Sequence, residues 1–169
     1  MSAVSDPFAH LPYRPCVGII LLNPRGEVWI GQRKKKWVGD QSEHRWQMPQ
    51  GGIDEGEDPR EAAFRELEEE TGTRKATIIA ETPGWLTYDL PEEALGKALK
   101  GKYRGQRQKW YVMRFEGSDS DIDIGEKPGH KAEFSAWRWA PMDEVVRGIV
   151  PFKRPVYEAL AKEFASLLR

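Results

Sequence analysis

Glu66, Glu69 and Glu70 are the residues whose type and spacing could do chemistry. In a helix, positions i, i+3 and i+4 fall within about 100° of arc, so the three carboxylates share one face. Like charges at that spacing repel by about a few tenths of a kcal/mol per pair, and the cluster sits in the last turns, where the helix dipole is already negative. A hard divalent cation would offset both effects, because Mg2+ is commonly held by a few carboxylates together with the phosphates of a substrate. The ordinary reading of an acidic run such as Glu68 to Glu70 is a solvated helix face, and the run alone fits either. The glycine entry Gly51-Gly52, the capped helix start and the shared face together point to a metal site.

The helix that must carry these groups has readable ends. Asp58 is a good N-cap, Pro59 suits the first helical position, and Glu61 stands three residues after the cap, as a capping box requires. Gly72 supplies a left-handed terminator. Ala62 and Ala63 lie beneath the carboxylates and leave room, while Ala63, Phe64 and Leu67 form an arc that packs on a core.

Around that helix the chain alternates between short strands and helices. The apolar run Val17 to Leu22, the turn Asn23-Pro24-Arg25-Gly26 and the run Val28 to Gln32 predict a hairpin. Residues 34–45 are polar and read as a mobile loop. Strands follow near Thr77 to Glu81 and Trp85 to Tyr88, then a short helix over Pro91 to Leu99, strands over Lys109 to Phe115 and Phe134 to Trp139, and helices over Pro141 to Val146 and Pro155 to Leu168. In the last helix Val156, Leu160, Phe164 and Leu167 repeat at core spacing. Mixed strands flanked by helices imply an α/β sandwich.

Bulk properties suit a soluble enzyme. The 169 residues fit one domain spanning 1–169, with 1–12 as a flexible N-terminus. Hydrophobic content is 39% with no run long enough to span a membrane, and Met1 to Arg14 lacks the basic start and apolar middle of a signal peptide. Cys16 is the one cysteine, which excludes internal disulfides and suits the reducing cytoplasm; at the head of an apolar strand it reads as a buried filler. Net charge is −1 but unevenly spread: nine acids lie between Asp54 and Glu70, whereas Lys97, Lys100, Lys102, Arg104, Arg107 and Lys109 form a stretch free of acids. A basic surface beside an acidic centre attracts phosphate chains, and Tyr103 and Trp110 could stack on bases. His10, His44 and His130 share no metal-ligand spacing and read as loop residues.

The segment resembles a known family signature. Gly51, Glu57, Arg65-Glu66-Leu67, Glu69-Glu70, Thr71 and Gly72 stand at the spacings of the Nudix hydrolases, with Thr73 in place of the usual aliphatic residue at a packing position. Tyr13-Arg14-Pro15, Trp46-Gln47-Met48-Pro49-Gln50, Trp85-Leu86-Thr87-Tyr88, Gln108-Lys109-Trp110, Glu133-Phe134, Trp137-Arg138-Trp139 and Phe152-Lys153-Arg154 are similar to the bacterial RNA 5′-pyrophosphohydrolases within that family, a branch close to the diadenosine polyphosphate hydrolases.

The resemblance implies a Nudix α/β/α sandwich with a mixed central sheet and a site loaded with Mg2+ or Mn2+. It implies that Glu66, Glu69, Glu70, Glu133 and the carbonyl of Gly51 hold the metal and that Glu57 and Arg65 pair structurally. Family members differ in which glutamate accepts the proton from water, and Glu66 is the expected acceptor in this chain. Arg14 and Arg33 match phosphate or first-base contacts, and Phe152 and Lys153 match a second-nucleotide corner. By residue type alone Phe152 reads as core and Lys153 as surface. The implied reaction removes pyrophosphate from 5′-triphosphorylated RNA to leave a monophosphate and promote decay. The alternative is hydrolysis of dinucleoside polyphosphates, and a third reading is a non-catalytic nucleotide-binding module. No DNA or membrane partner is expected.

Overall fold

The structure is a computed structural model that describes residues 8–35 and 45–168. Most of the predicted loop 34–45, including His44, lies outside the described residues, as do residues 1–7 of the expected flexible terminus. Strand β1 (Tyr13–Leu22) runs through the middle of one sheet with β2 (Val28–Arg33), β3 (Trp46–Gln47) and β4 (Gln50–Gly52). Helix α1 (Pro59–Thr71) follows, then β5 (Ala76–Glu81), β6 (Leu86–Asp89), β7 (Gly105–Phe115), β8 (Phe134–Ala140), α2 (Met142–Gly148) and α3 (Arg154–Glu163).

The sheet is mixed. The order is β3-β2-β1-β7-β5, with β4 on β1, β6 on β7 and β8 on β2. β1 and β7 pair in parallel from Tyr13 opposite Gly105 to Leu22 opposite Arg114, and the other strand pairs are antiparallel. A parallel pair needs a crossover, and here the crossover contains α1. β1 is buried on both faces, which is why its apolar run is continuous. Val17, Ile19 and Leu21 pack with Ala62, Ala63 and Leu67 of α1, while Ile20 and Leu22 share the opposite core with Val145, Val156 and Leu160 of α2 and α3. This is the α/β/α sandwich with a mixed sheet that the sequence implied. Fully burying a side chain such as Leu67 stabilises the packing by about 1.5–3 kcal/mol.

Differences from the sequence reading have local causes. α1 begins at Pro59 and ends on Gly72 at φ 82, but Asp58 makes no side-chain cap bond and Glu61 reaches toward Arg74 at 3.7 Å, so no capping box closes. Phe64 is only partly buried at the core's edge, where Arg74 lies over its ring. The helix expected over Pro91 to Leu99 is two 3-10 turns, Glu92–Ala94 and Ala98–Gly101, split around Gly96 at φ 79. α3 stops at Glu163, so Val156, Leu160 and Phe164 are core but Leu167 is 38% exposed.

β7 starts four residues before the expected Lys109, because Gly105 to Gln108 hydrogen-bond in register with Tyr13 to Cys16. That register divides the basic stretch. Arg107 stacks on Trp85 at 4.3 Å, Lys109 pairs with Glu81 at 3.6 Å, and Arg104 pairs with Asp89 at 3.4 Å. Trp110 is fully buried, flat over Gly18 and edge-on to Tyr157, so it is core and no base-stacking platform.

Candidate active site

Two adjacent backbone segments shape the site. β4 pairs with β1 through Gln50, Gly51 and Gly52, which lays that short strand against the carboxylate face of α1. The backbone N–H of Gln50 donates to Glu70 Oε2 at 3.1 Å. A Cβ at Gly51 would collide with the Glu66 carboxylate, and one at Gly52 would collide with the Arg14 guanidinium. Both glycines are therefore close-approach positions that let a carboxylate and a guanidinium lie on the backbone.

Arg65 ties the loop to the helix. Its Nε and Nη2 each donate to a Glu57 oxygen at 2.8 Å, and Nη2 also donates to the carbonyl of Gly52 at 2.8 Å. Nη1 reaches Glu66 at 3.0 Å and Glu69 at 3.3 Å. The expected Glu57–Arg65 pair is thus a bidentate fork. Hydrogen bonding from Arg65 holds Glu57 at about 2, well below an ordinary carboxylate, and Glu57 in turn helps keep Arg65 charged.

The carboxylate face is no solvated surface. Glu66 is 8% exposed and Glu70 2%, while Glu68 points outward. Burial, then the neighbouring Glu69, pushes Glu66 up to about 7 against the lowering influence of Arg65. Burial, then Glu133 and Glu66, pushes Glu70 well above the usual range. Glu133 is the residue before β8, next to the register shift between Gln32 and Arg33, and its carbonyl accepts from the backbone N–H of Lys34 at 3.0 Å.

These carboxylates fit a cation. Glu70 Oε1 is buried with no hydrogen-bond partner, and burial beside other carboxylates disfavours the charged forms of Glu66 and Glu70, which a cation would favour. Among the described residues no group of three or more His, Cys, Asp or Glu side chains is already arranged to hold an ion. Glu69 is turned toward Arg65, and its Oε2 also lies 3.8 Å from His130 Nδ1.

A cavity of about 380 Å³ opens over this face. Gly51, Glu66, Glu69 and Glu133 line it together with Arg14 and Arg33, so it brings together residues far apart in sequence; Arg14 lies on Gly52, and Arg33 feels the charge of Glu133 and Glu70. Glu70 sits beneath the floor. Phe152 and Lys153 do not line it: Phe152 packs on Tyr88 at 5.6 Å, and Lys153, 1% exposed, lies over the same ring at 5.8 Å. Lys153 is therefore interior, contrary to the surface reading of its residue type, and burial lowers its pKa well below that of a free lysine.

Several lining residues carry little signal in the sequence. His130 is the loop residue expected, and the turn from Lys127 to His130 also delivers it to the cavity. Gln50 and Gln106 also line it, joined by the buried Gln108. The Trp110 indole, which can only donate, donates to Gln108 Oε1 at 2.9 Å; Gln108 Nε2 then donates to Gln50 Oε1 at 3.0 Å and Gln106 Oε1 at 2.8 Å. That polarity turns both lining amides so that their N–H groups remain available to a ligand. The alternation Gln106-Arg107-Gln108 on a strand was the one available signal.

The NUDIX domain family matches residues 12–160. The chain is 57% identical over 164 residues to the RNA pyrophosphohydrolase of Rhizobium meliloti (strain 1021), covering 94% of this chain and 97% of the relative. It is 56% identical over 160 residues to that of Rhodopseudomonas palustris (strain HaA2), covering 95% and 96%. Among solved structures, a C. elegans Ap4A hydrolase binary complex aligns with TM-score 0.62 at 20% identity over 90% of this chain and 98% of that one. The E. coli dihydroneopterin triphosphate pyrophosphohydrolase aligns with TM-score 0.64 at 17% identity, covering 88% and 96%, and at such identities the likeness is one of fold. With a family match across nearly the whole chain and the family's glutamate-bearing helix beneath the cavity, the chain belongs to the NUDIX family.

Proposed function

We propose that this chain is an RNA pyrophosphohydrolase that adds water across the α–β anhydride of a 5′-triphosphorylated RNA, releasing pyrophosphate and leaving a 5′-monophosphate that promotes decay. The observation that carries this reading is the identity above 50%, across nearly the full length, to relatives bearing that name. The cavity supports it by bringing buried carboxylates and two arginines to one space.

Nudix hydrolases generally need divalent cations, and Mg2+ or Mn2+ suits this oxygen-rich donor set. Glu66, Glu69, Glu70 and Glu133 with the carbonyl of Gly51 would hold it. When bound, it supplies positive charge against the phosphate oxygens and polarises water. Arg14 and Arg33, lining the same cavity, orient the triphosphate, and the amides of Gln50 and Gln106 donate to its oxygens. Glu66, buried at the cavity and held by Arg65, takes the proton from the attacking water. Arg65 and Glu57 keep the loop on the helix so that Glu66 stays aimed. We place the reaction in the cytoplasm, with no DNA or membrane partner. No helix among the described residues is long and apolar enough to cross a membrane, and Cys16 is buried with its thiol pushed up to about 11, as an inert filler should be.

The test is a paired assay with triphosphorylated RNA and diadenosine tetraphosphate, each with Mg2+ and with chelator. Metal-dependent release of pyrophosphate from RNA supports the proposal. Consumption of the dinucleotide alone would replace it with the dinucleoside polyphosphate reading, and loss of neither substrate would leave a binding module.

A further inference from the structure

Beside the catalytic cavity lies a second one of about 440 Å³, lined by Arg14, Leu99, Lys100, Lys102 and Tyr103. Arg14 and Leu99 line both, so the two spaces adjoin. Among the described residues that line it, the charged groups of the second are cations, whereas the first also holds Glu66, Glu69 and Glu133.

The division of the basic stretch by β7 gives this cavity its meaning. Arg104, Arg107 and Lys109 are committed to Asp89, Trp85 and Glu81. Lys100 and Lys102 are exposed, and neither they nor Arg14 form an ion pair with a described residue. Leu99 at φ 55 and Lys100 at φ 59 are the non-glycine residues at positive φ among those described, and they are consecutive. Such strain persists where surrounding structure imposes it, often at ligand-binding segments. Here Leu99 lines both cavities and Lys100 the second. Tyr103, half-buried, adds an aromatic ring to the cationic wall.

A cationic groove with an aromatic side chain suits single-stranded nucleic acid, whose phosphates meet lysines while a base stacks. We propose that this second cavity binds the RNA chain downstream of its 5′ end. Lys100 and Lys102 meet backbone phosphates, Tyr103 stacks a base, and Arg14 stands where the chain passes from one cavity to the other. The inference rests on the RNA pyrophosphohydrolase reading and deepens it: the enzyme favours a polynucleotide over a small nucleotide because a polynucleotide alone fills both cavities.

The experiment compares a 5′-triphosphorylated dinucleotide with a 5′-triphosphorylated RNA of about ten nucleotides, a length that suits such grooves, using the wild type, the double variant Lys100→Gln/Lys102→Gln, Tyr103→Ala and Tyr103→Phe. The wild type should show a lower KM for the longer RNA, with a steeper salt dependence. The double variant should raise KM for that RNA about 3–10-fold and reduce its logarithmic salt slope by about 1 to 1.5, as expected for two lost phosphate contacts on a single strand. Its KM for the dinucleotide should remain unchanged. Tyr103→Ala should raise KM about fivefold or more for the longer RNA, with Tyr103→Phe restoring it. A wild-type KM that ignores length, or variants that weaken both substrates equally, overturns the inference while leaving RNA hydrolysis standing. A wild type that consumes diadenosine tetraphosphate but no RNA overturns the functional reading as well.

Discussion

Replacing Glu66 with Gln should stabilise the metal-free protein while abolishing turnover. Glu66 is 8% exposed, and burial, with Glu69 beside it, raises its carboxyl from 4.5 in the unfolded chain to about 7 in the fold. The folded state therefore holds a proton that the unfolded state has released between those values. Stability from the neutral carboxyl is fully present below about pH 4.5 and is lost as pH rises through about 7. A shift of this size corresponds to about 3 kcal/mol at high pH, and a residual water path or a small backbone adjustment would reduce it to about 2. Gln mimics the neutral form, so at about pH 8.5 in chelator Glu66→Gln should unfold about 5–10 °C higher than wild type. At about pH 4.5 the two should melt together. Adding Mg2+ at about pH 8.5 should raise the wild-type midpoint and leave the variant nearly unmoved, because the charge that repels its neighbours is the charge that holds the cation. The assay is thermal unfolding followed by circular dichroism at the two pH values, with and without Mg2+. A melting difference independent of pH would refute the buried-charge reasoning, and unchanged pyrophosphate release would remove Glu66 from its assigned role.

Other perturbations probe the parts around it. Gly51→Ala forces the Glu66 carboxylate off the backbone, and a displacement of about 1 Å should lower kcat roughly 100-fold with the fold retained; full activity in a steady-state assay would count against the close approach. Glu57→Gln removes a carboxylate that Arg65 holds at about 2, so wild-type stability owed to this pair is present above about pH 4.5 and lost as pH falls toward 2. The variant should unfold about 1–2 kcal/mol more easily at neutral pH, and the gap should close in acid; denaturant titrations across that range would reveal a constant gap if the pair contributes nothing. Gln108→Leu strips the acceptor from the Trp110 indole and the donor from Gln50 and Gln106. It should cost about 1–3 kcal/mol of stability and raise KM, since the lining amides lose their fixed polarity; an unaltered KM would show that they do not meet substrate.

The sequence by itself determined the helix that bears the glutamates. Pro59 at its start, Gly72 at its end and the spacing of Glu66, Glu69 and Glu70 are local properties, set by a repeat of 3.6 residues and by backbone preferences that need no distant partner. The continuous apolar run of β1 marked a doubly buried strand for the same reason. Only the tertiary structure decided what surrounds that helix. The parallel register of β1 with β7 assigned Gly105 to Gln108 to a strand, buried Trp110, built the Gln50–Gln108–Gln106 chain and left Lys100 and Lys102 outward. The pairing of β8 with β2 placed Glu133 at the cavity, the turn from Lys127 delivered His130, and α3 ended early enough to expose Leu167. Each depends on contacts between residues dozens of positions apart, and composition and periodicity along the chain carry no record of which strand will lie beside which.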